Sequence, residues 1–177
     1  MSSPLALAAE HKQTEALLHA SGLPCVVLRN GWYTENYAAS IATAPAHGAV
    51  LGSAGDGRFS SATRADFAAA AAAVLTSDNQ ANRTYELAGD TAFTLAELAA
   101  VIARQSGKAV KYKNLPEADY KAALIGFGVP ESMAGLLADA DICASKGALF
   151  DDSHQLSQLI GRPTTSLATT IAATLKT

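Results

Sequence analysis

Cysteine is scarce in this chain, and positive charge is in no excess. The two cysteines, Cys25 and Cys143, stand in apolar or helical surroundings. A thiol there reads as a small buried hydrophobe, and free thiols fit a reducing, cytoplasmic setting. A net charge of −3 leaves no basic footprint for nucleic acid. No apolar run approaches the length that spans a bilayer, so no membrane partner is expected. The opening MSSPLALAAEHK lacks a basic start followed by an apolar core, so it does not read as a signal peptide. The chain also lacks cysteine–histidine metal spacing, a nucleophile elbow and an internal repeat. The glycines of GSAGDG, residues 52–57, fit neither G-x-G-x-x-G after a long strand nor a Walker loop. A plain turn or a loop near a substrate mouth is expected there, rather than a phosphate cradle.

What remains is rich in alanine, which favours close-packed helices. The 177 residues are long enough for a real core and are expected to form a single domain, 1–177. Residues 4–20 read as a first helix, with Ser3 as cap and Pro4 in the first turn. Leu7, His11, Thr14 and Leu18 share one of its faces. Residues 33–46 read as a short helix and loop, and His47-Gly48 as a turn before a brief strand at 49–51. Thr63 with Asp66 resembles a capping box opening a helix to about Thr76. Residues 84–87 read as a strand. Thr94 with Glu97 is a clean capping box for a helix to about Gln105, stopped by Gly107. Residues 109–113 alternate like a strand. Pro116 and Pro130 each start a helix. Asp151-Asp152-Ser153 signals the cap of a helix to Ile160, and Thr164 or Thr165 that of the last helix.

The stretch that organises the rest is PCVVLRNGWYTEN, residues 24–36. The apolar run Cys25-Val26-Val27-Leu28 reads as a buried, parallel strand. It stops at Arg29-Asn30-Gly31. A glycine there lets backbone approach a ligand or take a positive φ. Trp32, Tyr33, Glu35 and Asn36 follow, polar atoms beside aromatic faces. Ligands of open α/β sheets bind beyond the carboxyl ends of strands, and this segment lies at such an end. A strand, a turn and two core aromatics would account for the same residues.

LRNGWYTENY resembles the LR(N/P)G-x-(Y/F)-x-EN signature of the NmrA-like proteins, an atypical branch of the short-chain dehydrogenase/reductases. GDGRFSSATRADFAAAAAAVL, YELAGDTAFTLAELA, LADADICASKGALFDDS and LIGRPTTSLA are similar to the bacterial quinone-reducing members of that family. The likeness covers residues 3–175 and only the later part of such an enzyme; the Gly-rich dinucleotide turn belongs to the earlier part. The resemblance implies an α/β chain, the C-terminal part of a Rossmann-like NmrA-type fold with a small helical substrate-side lobe. It implies NADPH as cofactor, a quinone as substrate, and hydride transfer between them. Asn30, Gly31, Trp32, Tyr33 and Thr34 would meet the nicotinamide end of the cofactor, and Arg29 would support the turn. Thr63 and Arg64 would frame the cleft, although a helix cap and a surface charge explain them as well. The catalytic Tyr and Lys of related dehydrogenases align with Leu7 and His11. The proton-donating phenol is therefore absent, and His11 is the candidate to orient a ribose or protonate a reduced quinone; a polar helix residue with no role is the alternative. A non-catalytic, dinucleotide-sensing NmrA-like module is the second functional reading. A chain of this part alone would leave a strand edge and an apolar face open, so either self-association into a homo-oligomer that covers them or a rearranged fold is expected.

Overall fold

Short β-branched and aromatic runs alternate with alanine-rich segments, and the chain folds to match: an α/β arrangement of parallel strand pairs and packed helices. The structure, a computed structural model, describes Leu5 and residues 8–176. The expectations for Ser3, Pro4 and Leu7 lie outside the described residues. Helix α1 spans Ala8–Ala20, and Ser21-Gly22 turns the chain into strand β1, Val27–Asn30. A 3-10 turn at Thr34–Tyr37 runs into α2, Ala38–His47, which Gly48 ends in the left-handed region at φ 69°. Where helix and loop were expected, residues 34–47 are thus helical throughout. Strand β2, Ala49–Gly52, follows, then α3, Arg64–Leu75, and β3, Thr84–Leu87.

β1 pairs with β3 in parallel, from Val27 opposite Thr84 to Asn30 opposite Leu87. The expected buried strand is only half covered. Val27 and Leu28 are partly buried and Arg29 and Asn30 exposed, because among the described residues β1 has a ladder on one edge alone. After α4, Leu95–Ser106, strand β4 pairs with β2, again in parallel. It occupies Lys111–Asn114 rather than 109–113. The bonds Lys111 N–H to Gly48 O and Leu115 N–H to Gly52 O set that register, and Val110 goes into the core instead. Helices α5, Glu117–Gly126, and α6, Glu131–Ser145, pack on each other as a helical lobe. Helices α7, Gln155–Ile160, and α8, Leu167–Thr174, complete the chain.

The capping chemistry explains where the helices start. Thr94 and Glu97 make the full reciprocal box. Thr63 accepts the Asp66 N–H at 3.2 Å, but the Asp66 carboxylate does not return to the Thr63 backbone; it is engaged across the fold. Two expected caps are corrected. Ser166, not Thr164 or Thr165, accepts the Thr169 N–H and opens α8, because both threonines are taken by aspartates. Thr164 and Asp90 exchange two bonds of 2.9 Å, each residue's N–H donating to the other's side chain, and the Thr165 N–H donates to Asp66 at 2.8 Å. At α7 the cap position falls to His154, in the left-handed region at φ 56°. Asp151 instead accepts the Ser153 N–H and hydroxyl in a local turn.

Two apolar cores result. The larger joins α2, β2, α4 and α8 around Phe59, Phe93, Leu98 and Ile102, with the Tyr37 ring edge-on to Phe59 and Phe93. The smaller lies under β1 and β3, where Phe67 and Ala70 of α3 meet Leu87 and Leu156. α1 belongs to neither. None of its residues is buried, and Leu17, Leu18 and the following Leu23 are 67%, 39% and 68% exposed. What ties α1 to the strands is Arg29, whose guanidinium donates to Glu15 at 2.8 and 2.6 Å and to Glu86 of β3 at 2.5 Å. These bonds, that to Glu15 above all, hold Arg29 further above its ordinary pKa and Glu15 below the usual carboxylate value.

Candidate functional site

β1 ends where parallel strands present a site, and the next six residues turn away from the sheet in an order their chemistry dictates. The Gly31 N–H continues the ladder to Leu87 O at 2.8 Å. A Cβ on Gly31 would lie 2.9 Å from that same oxygen, so the missing side chain serves strand closure. Its φ is not in the left-handed region, which removes one of the two reasons for a glycine expected from the sequence. Trp32 turns inward, packing on the larger core with its indole N–H on the Tyr37 hydroxyl at 3.1 Å. Tyr33 bridges to Ala62 and sets its ring edge-on to Phe67 at 5.3 Å. Thr34 is 2% exposed. Its hydroxyl pairs with that of Ser61 at 2.8 Å and its N–H donates to Ala62 O, so it braces the turn from below.

An open groove of about 330 Å³ lies beside this turn, lined by Asn30, Tyr33, Arg64, Phe67, Ala68 and Ala71. Of the residues expected at the site, Asn30 and Tyr33 line it, and Gly31 is exposed next to them. Trp32 and Thr34 stand behind its wall, and Arg29 fastens α1 and β3. His11 is exposed on α1 and is not part of the lining. The Asn30 amide makes one long contact, 3.4 Å to the Tyr33 hydroxyl, so its donors remain open to a better acceptor. Thr63 is the helix cap that the plain reading foresaw, but Arg64 is more than a surface charge: its guanidinium sits 4.7 Å from the Tyr33 ring centroid. Glu35 closes the back. It accepts the Arg64 N–H at 2.9 Å, supplying a carboxylate to the start of α3, and its other oxygen is buried with no hydrogen-bonding partner among the described residues. Phe67 carries no sequence signal beyond an apolar helix position, whereas Glu35 is the acid of the EN pair in the LRNGWYTENY signature.

The GSAGDG loop behaves as a turn, and the reason is geometric. Its successive N–H groups are already filled by side chains: Ser53 donates to Asp141 at 2.7 Å, Ala54 to the Tyr112 hydroxyl at 3.1 Å and Gly55 to Asn114 at 2.9 Å. Gly52 has to be glycine, since a Cβ there would run into Leu95 and lie 2.8 Å from the Asp141 carboxylate. Burial pushes the Asp141 carboxyl up to about 6, with the Ser53 N–H pulling the other way. Burial, and then the nearby Asp141, also raise Tyr37 and Tyr120 above the ordinary phenol value and Tyr112 to about 12.

With this geometry established, the likenesses to known proteins acquire positions. No protein-family model matches the chain. It is 56% identical over 170 residues to quinone oxidoreductase 2 of Escherichia coli, an alignment covering 96% of this chain and 59% of that protein. The crystal structure of an NADPH-dependent quinone oxidoreductase of that species, complexed with NADPH, superposes with a TM-score of 0.94 at 55% identity, covering 97% of this chain and 61% of that one. Triphenylmethane reductase of Citrobacter sp., complexed with NADP(H), gives a TM-score of 0.93 at 34% identity, covering 98% and 61%. The chain spans about three-fifths of the length of each of these proteins. Among the described residues no helix is long and apolar enough to cross a membrane. With the LRNGWYTENY segment at the tip of a parallel strand and these likenesses along nearly its whole length, the chain is a homologue of quinone oxidoreductase 2 and shares the α/β fold of these reductases.

Proposed function

We propose that this chain is the acceptor-side part of an NADPH-dependent quinone oxidoreductase of the cytoplasm. The observation that carries the reading is the groove at the end of β1, formed by the segment that most resembles the family's signature. The residues fit a nicotinamide end. Asn30 has amide donors to give, the Gly31 backbone is exposed, and the Tyr33 ring offers a flat wall. Trp32 and Thr34 fix the shape of the turn from the protein side, and Arg29 locks it to β3. NADPH supplies a hydride when bound; the chain's own task is to orient the two reactants and keep the transfer distance short. By resemblance Leu7 aligns with the position where related enzymes carry the phenol, so no tyrosine there donates the proton. His11, again by resemblance, takes the position of the lysine of related dehydrogenases and is the proposed ribose contact or proton donor, and bulk water reaches the open groove as well. Two free thiols, Cys25 half-buried and Cys143 buried, suit a reducing compartment.

Calorimetric titration with NADPH, run beside benzoquinone-dependent NADPH oxidation, tests this. Binding at about micromolar Kd together with turnover is the expected result. Binding without turnover would favour the dinucleotide-sensing reading. No binding at all would sink both.

The partners follow from the same edge. A second copy of the chain would cover the open side of β1 and the exposed leucines 17, 18 and 23, removing apolar area and an unpaired ladder from water. Light scattering behind a sizing column should therefore give twice the chain mass. A well-folded particle of single mass at all concentrations would rule this out.

A further inference from the structure

The groove beside β1 holds a charge that the chain does not neutralise. Arg64 is exposed at the first position of α3 and lies over Tyr33. None of the ion pairs formed by the described residues involves its guanidinium. The Glu35 carboxylate accepts the Arg64 backbone N–H instead. The rest of the lining is mixed: Asn30 offers its amide, Tyr33 and Phe67 meet edge to face, and Ala68 and Ala71 contribute methyl groups only. Small side chains in that row leave room for a planar ring, whose burial against them is favourable. A guanidinium at the rim of such a slot has the fork geometry for a carboxylate or sulfonate, which it binds by charge-assisted hydrogen bonds.

We propose that this groove receives the electron acceptor and that Arg64 selects aromatic acceptors carrying a negative group, such as sulfonated or carboxylated quinones, over their neutral parents. The proposal rests on the reductase reading above and divides the groove, with the nicotinamide end at Asn30 and Gly31 and the acceptor along Tyr33, Phe67 and the alanines of α3. Arg64 acts on affinity and not on the hydride step, so its effect is read in binding.

The test is calorimetric titration of the full chain with naphthoquinone and with naphthoquinone sulfonate, at low and high salt. Nicotinamide mononucleotide serves as a phosphate-bearing control. The sulfonate should bind about fivefold more tightly, the scale of one exposed charge-assisted contact, and the preference should shrink as salt is added. Arg64→Gln should bring the ratio of the two affinities close to one, and Arg64→Lys should restore part of it. Equal affinities in the unmodified chain would overturn the role of Arg64 and leave the groove as an acceptor site. An Arg64-dependent gain for the mononucleotide, without one for the sulfonate, would assign the charge to the cofactor's phosphate and overturn the proposal. If neither quinone binds, the acceptor reading falls and the inference with it.

Discussion

Asp66→Ala is expected to destabilise the fold by about 3 kcal/mol or more, the scale of removing one partner from a buried charged network. Asp66 has no exposed surface. Its carboxylate accepts the Thr165 N–H at 2.8 Å, the Thr165 hydroxyl at 3.2 Å and the Thr63 hydroxyl at 2.9 Å, and pairs with Arg162 at 2.7 Å. Arg162 is half exposed and can turn to water. The N–H of Thr165 and the hydroxyl of Thr63 cannot do so easily, and an unpaired buried donor costs about 1–3 kcal/mol. Burial raises the Asp66 pKa, but the bonds from Thr165, Arg162 and Thr63 outweigh it and leave the group below its ordinary 3.8. For a carboxyl lowered on folding, the stabilisation is complete above the unfolded pKa and is lost as pH falls through the folded one. Urea midpoints should therefore converge between the variant and the unmodified chain in strong acid and stand furthest apart at neutral pH. A neutral-pH loss below about 1 kcal/mol would mean the network is not holding the fold.

Asp141 predicts the opposite sign. Asp141→Asn should stabilise the protein, by up to about 3 kcal/mol at pH 7 and above. The carboxyl rises from 3.8 to about 6 on folding, and each unit corresponds to about 1.4 kcal/mol. The folded state holds the proton more tightly, so between those two values stability falls as pH rises, and above the upper one the full penalty of a buried charge is present. Asparagine keeps an acceptor for the Ser53 N–H. The gain in urea midpoint should grow from pH 4 to pH 6 and then level off. A variant less stable than its parent at pH 8 would show that the carboxylate has a partner of greater worth than burial costs it.

These two aspartates also mark where sequence reading stops. Thr94 with Glu97, the β-branched run before Gly31, and the glycines at 48 and 107 announce helices, a strand and two stops, because the cause and the effect lie within four residues of each other. Asp66 looks like the second half of a local box, and the three-residue spacing to Thr63 is real, yet its carboxylate bonds residues 99 positions away. Thr164 and Thr165 read as caps for the same reason, and fail as caps because Asp90 and Asp66 hold them. Asp141 sits in an alanine-rich helix with nothing nearby in sequence to show that it would meet the end of β2. At the site, the turn at 29–34 was legible as a segment. Its division into residues that face the groove and residues that brace it was not, since Trp32 and Thr34 are turned inward by Tyr37 and Ser61, which have no pattern linking them to it. Arg64 was in view by resemblance alone, and Phe67 enters only because α3 begins beside Ala62, the bridge partner of Tyr33.

The span between Asp66 and Thr165 bears on how the chain is made. Synthesis proceeds from the amino end, so the start of α3 leaves the ribosome long before the segment that satisfies its carboxylate. Closing a loop of that size is entropically unfavourable, and contacts of such long range slow folding. Until Arg162 and Thr165 emerge, Asp66 can avoid an unpaired burial only by staying in water, which keeps the adjoining helix from settling onto β1 and β3. The smaller core is thus expected to form late and all at once, and the larger one is completed no earlier, since Ile171 of α8 fills it.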